Sequence, residues 1–266
     1  MIKLFGKSKP VIGMIHVDAL PGTPNYKGDV DSIIAKAKNE AVIYKDAGID
    51  AVAIENMHDV PYLNKNAGPE ITSLMSIIGY EVKNFTSLPF GIQILAGANI
   101  QALAAAHSAG LDFIRAEGFI FSHVADEGVM NSDAGELLRY RKQIGAENIL
   151  VFTDIKKKHS SHTLTSDVSI TETAKAAQFF LSDGVIVTGS ATGNEADVEE
   201  VKKVSKAVNI PVIIGSGITI YNIENYILYA DAFIVGSYFK EGGFWKNGVD
   251  ADRVIALVKK IQSLNL

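Results

Sequence analysis

The sequence predicts an α/β protein, a single (β/α)8 TIM barrel over residues 1–266. Eight short apolar runs end in polar or glycine-rich turns, helical patterns lie between them, and an aspartate precedes every second run. The runs are VIGMIH (11–16) after Pro10, AVAIEN (51–56) after Asp50, FGIQIL (90–95) after Pro89 and FIRAEG (113–118) after Asp112. They continue with ILVFTD (149–154) after Asn148, GVIVTG (184–189) after Asp183, VIIGSG (212–217) after Pro211 and AFIVGS (232–237) after Asp231. Helical stretches between them include DVDSIIAKAKNEAVIYKDAG (29–48), TETAKAAQFFLS (171–182), NEADVEEVKKVSKAV (194–208) and DADRVIALVKKIQSL (250–264). AGID (47–50) and AGLD (109–112) show the same helix-ending glycine before a strand. The Pro and Asp positions punctuate helix ends and strand starts, and their alternation suits a barrel of βαβα quarters.

Composition excludes several classes. Hydrophobic residues are 47% and charged residues 21%, ordinary for a soluble domain. A formal net charge of −5 gives no basic surplus for nucleic acid. Zero cysteines exclude a disulfide scaffold, a zinc–thiolate site and a thiol nucleophile. No apolar run is long enough for membrane insertion, and MIKLFGKSKP lacks the apolar core of a signal peptide, so a cytoplasmic protein is expected.

Strand side chains alternate in direction. Even strands are aligned on the preceding Asp, and odd strands on the preceding Pro or on Asn148. One register, such as Val11/Gly13/Ile15 and Val52/Ile54, should face the helices. The other carries His16, Glu55, Gln93, Arg115, Glu117, Asp154 and Thr188 at the carboxyl ends of the strands, with Lys156 continuing it after Asp154. Barrel active sites lie at that end, and these polar groups are too many for a merely packed core. Part of the set is expected to pair structurally, as Arg115 with Glu117 or Glu55.

The turns after strands seven and eight, with Gly215, Ser216, Gly217, Gly236 and Ser237, are the expected phosphate contacts. Backbone N–H groups exposed by glycines there suit an anion, and plain βα turns are the alternative. TDIKKKHSSH (153–162) is the densest chemical segment. Asp154, Lys156, His159, Glu55, His16, Arg115 and Glu117 are the catalytic candidates, as proton carriers or as cations holding negative charge. A Schiff-base role for Lys156 and a solvated run from Lys156 to Lys158 stand beside that reading. Asn56, Gln93 and Thr188 are candidate substrate contacts. Asp154→Asn is expected to hold or raise stability. No cofactor is indicated with certainty. A divalent metal held by His16, Glu55, Asp154 and His159 is an open alternative, since those ligand types suit it. The loop after strand four, with His123, Asp126 and Glu127, is read as a candidate lid. His58, His107 and His162 are read as surface residues.

Seven segments resemble the BtpA/SgcQ family. They are IGMIHVDALPGTP (12–24), GIDAVAIENMHDVPY (48–62), FIRAEG with the later ADEGVMNSDAGELLRYR, VFTDIKKKHS (151–160), DGVIVTGSATG (183–193), IPVIIGSGITIYNI (210–223) and ADAFIVGSYFKEGGFWKNGVDADRV (230–254). The match runs in order from strand one to helix eight. Matched positions include His16, Glu55, Asn56, Asp59, Arg115, Asp154, Lys157, His159, Thr188 and Gly215 to Gly217. QILAGAN (93–99) departs from the family pattern, which is nearer NVLRND. The resemblance implies a barrel of the ribulose-phosphate-binding type. It also implies two functional expectations, a sugar-phosphate enzyme or a factor for photosystem I stability. The expected partner is a small phosphorylated metabolite, with homo-oligomer formation left open. The expected chemistry is that of an isomerase, epimerase or lyase on a phosphorylated sugar or nucleoside-like compound.

Overall fold

Parallel strands joined by helices must each return the chain to the same end, and eight such units close on themselves. The computed structural model describes residues 2–264, so residues 1, 265 and 266 of the expected 1–266 domain lie outside the described residues. The barrel strands are β1 (Val11–His16), β2 (Ala51–Glu55), β3 (Phe90–Gln93) and β4 (Phe113–Ala116). They continue as β5 (Leu150–Ile155), β6 (Gly184–Val187), β7 (Val212–Ile214) and β8 (Ala232–Val235). Each is followed by a helix: α1 (Val30–Asp46), α2 (Pro69–Thr86), α3 (Asn99–Ala109), α4 (Ala134–Gln143), α5 (Ile170–Phe179), α6 (Val198–Ala207), the single turn α7 (Ile223–Tyr226) and α8 (Ala251–Ser263). All neighbouring pairs are parallel, and β8 closes on β1 with Val11 opposite Phe233.

The two registers separate into two cores. Val11, Ile15, Val52, Ile54, Ile92, Ile114, Val151 and Val185 pack against the helices. Ile12, Met14, Ala51, Ala53, Phe113, Phe152, Ile186, Ile213, Ala232 and Ile234 fill the barrel, joined at the amino end by Ile2 and Phe5. The N-terminal segment thus plugs the bottom, with the Phe5 and Phe113 rings 6.0 Å apart.

The recurrent aspartates have one shared job. Asp50, Asp112, Asp183 and Asp231 accept the backbone N–H of Val11, Phe90, Val151 and Val212 at 2.9, 2.7, 2.8 and 2.9 Å. Each even-strand aspartate therefore ties down the start of the odd strand before it, once per quarter. Asp231→Ala leaves the Val212 N–H without its acceptor. It should lower stability by about 1–2 kcal/mol in a denaturant titration.

This anchor corrects the alignment of β5. Val151, not Ile149, is equivalent to Val11. The shift is two residues, so the inward parity holds but the depth changes. Asp154 then shares a layer with Met14, Gln93 and Gly215, one layer below His16. Barrel layers are built from alternate strands, so a two-residue shift moves a side chain from the rim into the packed interior.

The loop after β4 is not a free flap. His123–Ala125 and Gly128–Met130 form an antiparallel hairpin, and Ser160–Ser161 from the β5 loop pairs on its other edge. This small sheet fixes two mouth loops to one another.

Candidate active site

The carboxyl end of the barrel opens into two adjoining lobes. The first is about 320 Å³ and is lined by His16, Glu55, Arg115, Lys158, the turns at 215–219 and 235–238, and Arg253. The second is about 270 Å³ and is lined by Glu55, Tyr62, Glu117, Asp126, Glu127, Lys157, Lys158, His159 and Trp245. Each is near the lower end of small-ligand pockets. Glu55, Met57, Lys158 and Thr192 border both lobes.

Gly215, Ser216, Gly217, Gly236 and Ser237 all line the first lobe. The N–H groups of Gly217 and Gly236 have no acceptor among the described residues. Gly217 has φ +71°, and a Cβ there would lie 2.3 Å from the Asn194 carbonyl oxygen. A side chain at 217 would therefore disturb the fold itself, which makes Gly217 a poor probe of ligand binding. At Gly236 the atoms nearest a Cβ would be those of the His16 ring, from 3.1 Å, and Met14 Cβ at 3.6 Å. The Ser216 hydroxyl is occupied, donating to Asn194 O at 3.1 Å and accepting from Gly189 N at 2.9 Å. Arg253, in the first turn of α8, adds a cation. Its Nη1 donates to Tyr238 O at 2.8 Å, and its guanidinium lies 4.9 Å over the Tyr238 ring.

His16 is buried. Its Nδ1 lies 2.8 Å from the Trp245 carbonyl, which only accepts, so Nδ1 carries the proton. Burial, then the nearby Lys240 charge, hold the ring well below its usual pKa. The neutral ring presents Nε2 beside Gly236.

Arg115 and Asp154 form a buried bidentate pair, Nε to Oδ2 and Nη2 to Oδ1, both 2.8 Å. Burial opposes the Arg115 charge, but Asp154 outweighs it and the pKa is raised. Arg115 thus pairs with Asp154 and not with Glu55 or Glu117. Asp154 borders neither lobe, so the expectation that it carries protons at the mouth is corrected. It holds Arg115, which reaches the first lobe.

Glu117 accepts from Gln93 Nε2 at 3.0 Å and from Lys157 Nζ at 2.8 Å. Burial raises its pKa, but Lys157 and Arg115 outweigh this and the carboxylate is lowered overall. Gln93 lies beneath Glu117 and borders neither lobe. Thr188 is buried against Gly215. Asn56 is spent on structure, donating to Asp59 at 2.8 Å and accepting from Leu95 N at 2.7 Å. None of these three expected substrate contacts borders either lobe.

Glu55 is different. It is 7% exposed, and its carboxyl group forms no hydrogen bond or ion pair with the described residues. Burial raises its pKa, partly offset by Arg115 and Lys158. Its raised proton affinity and its place between the lobes suit this carboxyl group to take and return a proton.

The lysine run also needs correction. Lys156 has φ +49°, which breaks strand alternation, and its Nζ donates to Thr165 O at 3.2 Å, away from both lobes. The turn swings the next two lysines over the mouth instead. Lys157 is buried against Glu117, and Lys158 borders both lobes, so this is no solvated run. Alternation could not reveal a left-handed residue, and Lys158 was missed for that reason. Arg253 was missed because it sits on a helix beyond the strand-end turns. His159 is exposed at the rim, where its Nε2 meets Thr192 N at 3.1 Å. The four ligands of the alternative metal reading do not assemble. Asp154 is committed to Arg115 and His159 to Thr192, and no cluster of three or more His, Asp or Glu suits a metal among the described residues.

His123 is buried against His162, with ring centroids 5.2 Å apart, and neither is a free surface residue. Burial, then the His162 and Lys157 charges, push His123 down to about 4. A histidine kept neutral in the fold but protonated when unfolded contributes stability above its unfolded pKa and loses it on acidification. Stability should therefore fall as pH drops from about 6.5 toward 4, and His123→Asn should flatten that slope in urea titrations at pH 7 and pH 5.

A model of the BtpA family matches residues 7–263. The chain belongs to the BtpA family. This BtpA-family chain is 52% identical over 268 residues to an uncharacterized mitochondrial protein of Caenorhabditis elegans, covering 98% of this chain and 96% of that one. It is 30% identical over 262 residues to the photosystem I biogenesis protein BtpA of Synechocystis, covering 97% and 90%. Among solved structures, the thiamine phosphate pyrophosphorylase from Pyrococcus furiosus superimposes with a TM-score of 0.60 at 15% identity, covering 98% of each chain. That likeness shows the barrel fold. Among the described residues of the BtpA-family chain, no helix is long and apolar enough to cross a membrane.

Proposed function

We propose that the protein is an enzyme acting on a small phosphorylated sugar or nucleoside-like compound, by isomerisation, epimerisation or lyase chemistry. Glu55 carries this reading. It is a carboxylate with a raised pKa and no protein partner, at the junction of a cation-lined lobe and a second, mixed lobe. A folding role would leave such an acid paired, because burying it alone is costly. The phosphate sits at the N–H groups of Gly217 and Gly236, with Arg253 and Ser237 beside them. Barrels frequently hold phosphate with the loops after strands seven and eight. The carbon skeleton then extends toward Glu55, which moves a proton on a carbon next to a carbonyl. Arg115, held by Asp154, stabilises negative charge in the same lobe.

Gly236→Val tests the anion site by filling the space beside the unpaired N–H, against the His16 ring and Met14. Titration with phosphorylated sugars should show affinity weakened about tenfold or more, a loss of about 1.4 kcal/mol. Equal affinity of the wild type for phosphorylated and dephosphorylated sugars would sink the phosphate reading. The name of the Synechocystis relative favours a second reading, an assembly factor. A wild type that turns over none of a panel of sugar phosphates and nucleotides, but retains a stable protein partner in pull-downs, would favour that reading.

A further inference from the structure

Among the described residues, Glu55 and Lys158 are the two charged groups that border both lobes. Lys158 is also the one member of its run whose ammonium has no visible bond. The Lys156 ammonium is bound to Thr165 O and that of Lys157 to Glu117, whereas the Lys158 ammonium forms no hydrogen bond or ion pair with the described residues. Its placement is held by unusual backbone. Lys156 and His159, on either side of the pair 157–158, both lie in the left-handed region at φ +49° and +53°. Non-glycine residues are strained in that region and persist there where the surroundings hold them. Here Glu117 holds Lys157, while Ser190 O and the Thr192 N–H hold His159. The result aims one unpaired lysine into the cleft beside an unpaired carboxyl group.

We propose that Lys158 is a covalent nucleophile that forms an imine with the carbonyl carbon of a phosphorylated aldose or ketose. This rests on the phosphate-bearing substrate proposed above and names its reactive group as an aldehyde or ketone. Burial, then the Arg115 charge, lower the Lys158 pKa, which enlarges the neutral amine fraction that attacks. The neutral Nζ adds to the carbonyl carbon, and a proton moves from nitrogen to oxygen to give a carbinolamine. Protonated Glu55 gives its proton to the departing hydroxyl, which leaves as water, and the iminium remains. The Glu55 carboxylate then removes a proton from the adjacent carbon, giving an enamine and restoring its own acid form. One carbonyl oxygen leaves as water, and no oxidant or reductant is needed.

The test is reductive trapping with cyanoborohydride. The probes are glycolaldehyde phosphate and dihydroxyacetone phosphate, each beside its dephosphorylated form. Labelled sites are read by peptide mass mapping in wild type, Lys158→Met and Lys156→Met. The expected result is one adduct at Lys158, favoured about tenfold or more over other lysines, since a phosphate held at the strand-end turns keeps the carbonyl beside this amine and not beside the others. The label should vanish in Lys158→Met and persist in Lys156→Met. Labelling scattered over surface lysines, or absent from Lys158 in the wild type with every probe, overturns the inference, and it does so even if inorganic phosphate still binds. Equal labelling of Lys158 by phosphorylated and dephosphorylated probes supports the imine and removes the phosphate reading instead.

Discussion

Glu55→Gln should lower turnover of the cognate sugar phosphate by about 10²–10⁴-fold, or roughly 3–5 kcal/mol of transition-state stabilisation. Glutamine keeps the shape and removes the proton. Ligand affinity should change only a few-fold, because the anion contacts at Gly217 and Gly236 lie across the first lobe. Stability should move the other way. A carboxyl group whose folded pKa is raised contributes stability fully below its unfolded value, and loses it as pH rises through the folded value. At neutral pH the wild type carries that cost and the glutamine variant does not. The variant should therefore melt at the same temperature or higher, most clearly above about pH 5. Solvent deuterium incorporation next to the substrate carbonyl provides the rate, and a thermal melt provides the stability. Undiminished exchange in Glu55→Gln would remove this residue from the mechanism.

The second large effect is on folding. Asp154→Asn should destabilise the protein by about 3–5 kcal/mol, because it leaves the Arg115 guanidinium buried without its bidentate partner. This reverses the expectation for a solvated catalytic aspartate. The desolvation cost of a buried pair is already met in the native state, so deleting one partner exposes the cost of the other. Replacing both, as Arg115→Met with Asp154→Leu, should recover most of the stability while abolishing activity, since an apolar pair needs no compensation. Denaturant midpoints of the two single variants and the double variant check this. A loss below about 1 kcal/mol in Asp154→Asn would mean that the pair is not buried as described.

The closed barrel and its two registers were legible in the chain because both rest on local pattern. A side chain's direction in a strand alternates with a period of two, and a helix after each strand forces parallel order. The same logic placed Glu55, His16, Arg115 and the glycine turns at one mouth. It could not set depth. Asp154 reads as a rim residue when β5 is aligned on Asn148. Only the bond from Val151 N–H to Asp183, 32 residues away, shows that it lies one layer lower. Nor could alternation survive the end of the strand. At Lys156 the backbone turns left-handed, a conformation held by Glu117, Ser190 and Thr192 from distant elements. That turn exchanges Lys156 for Lys158 in the cleft. Local sequence set which way each strand residue points. Contacts between residues far apart in the chain decided how deep each polar group sits, which ones pair, and which are left unpaired for chemistry.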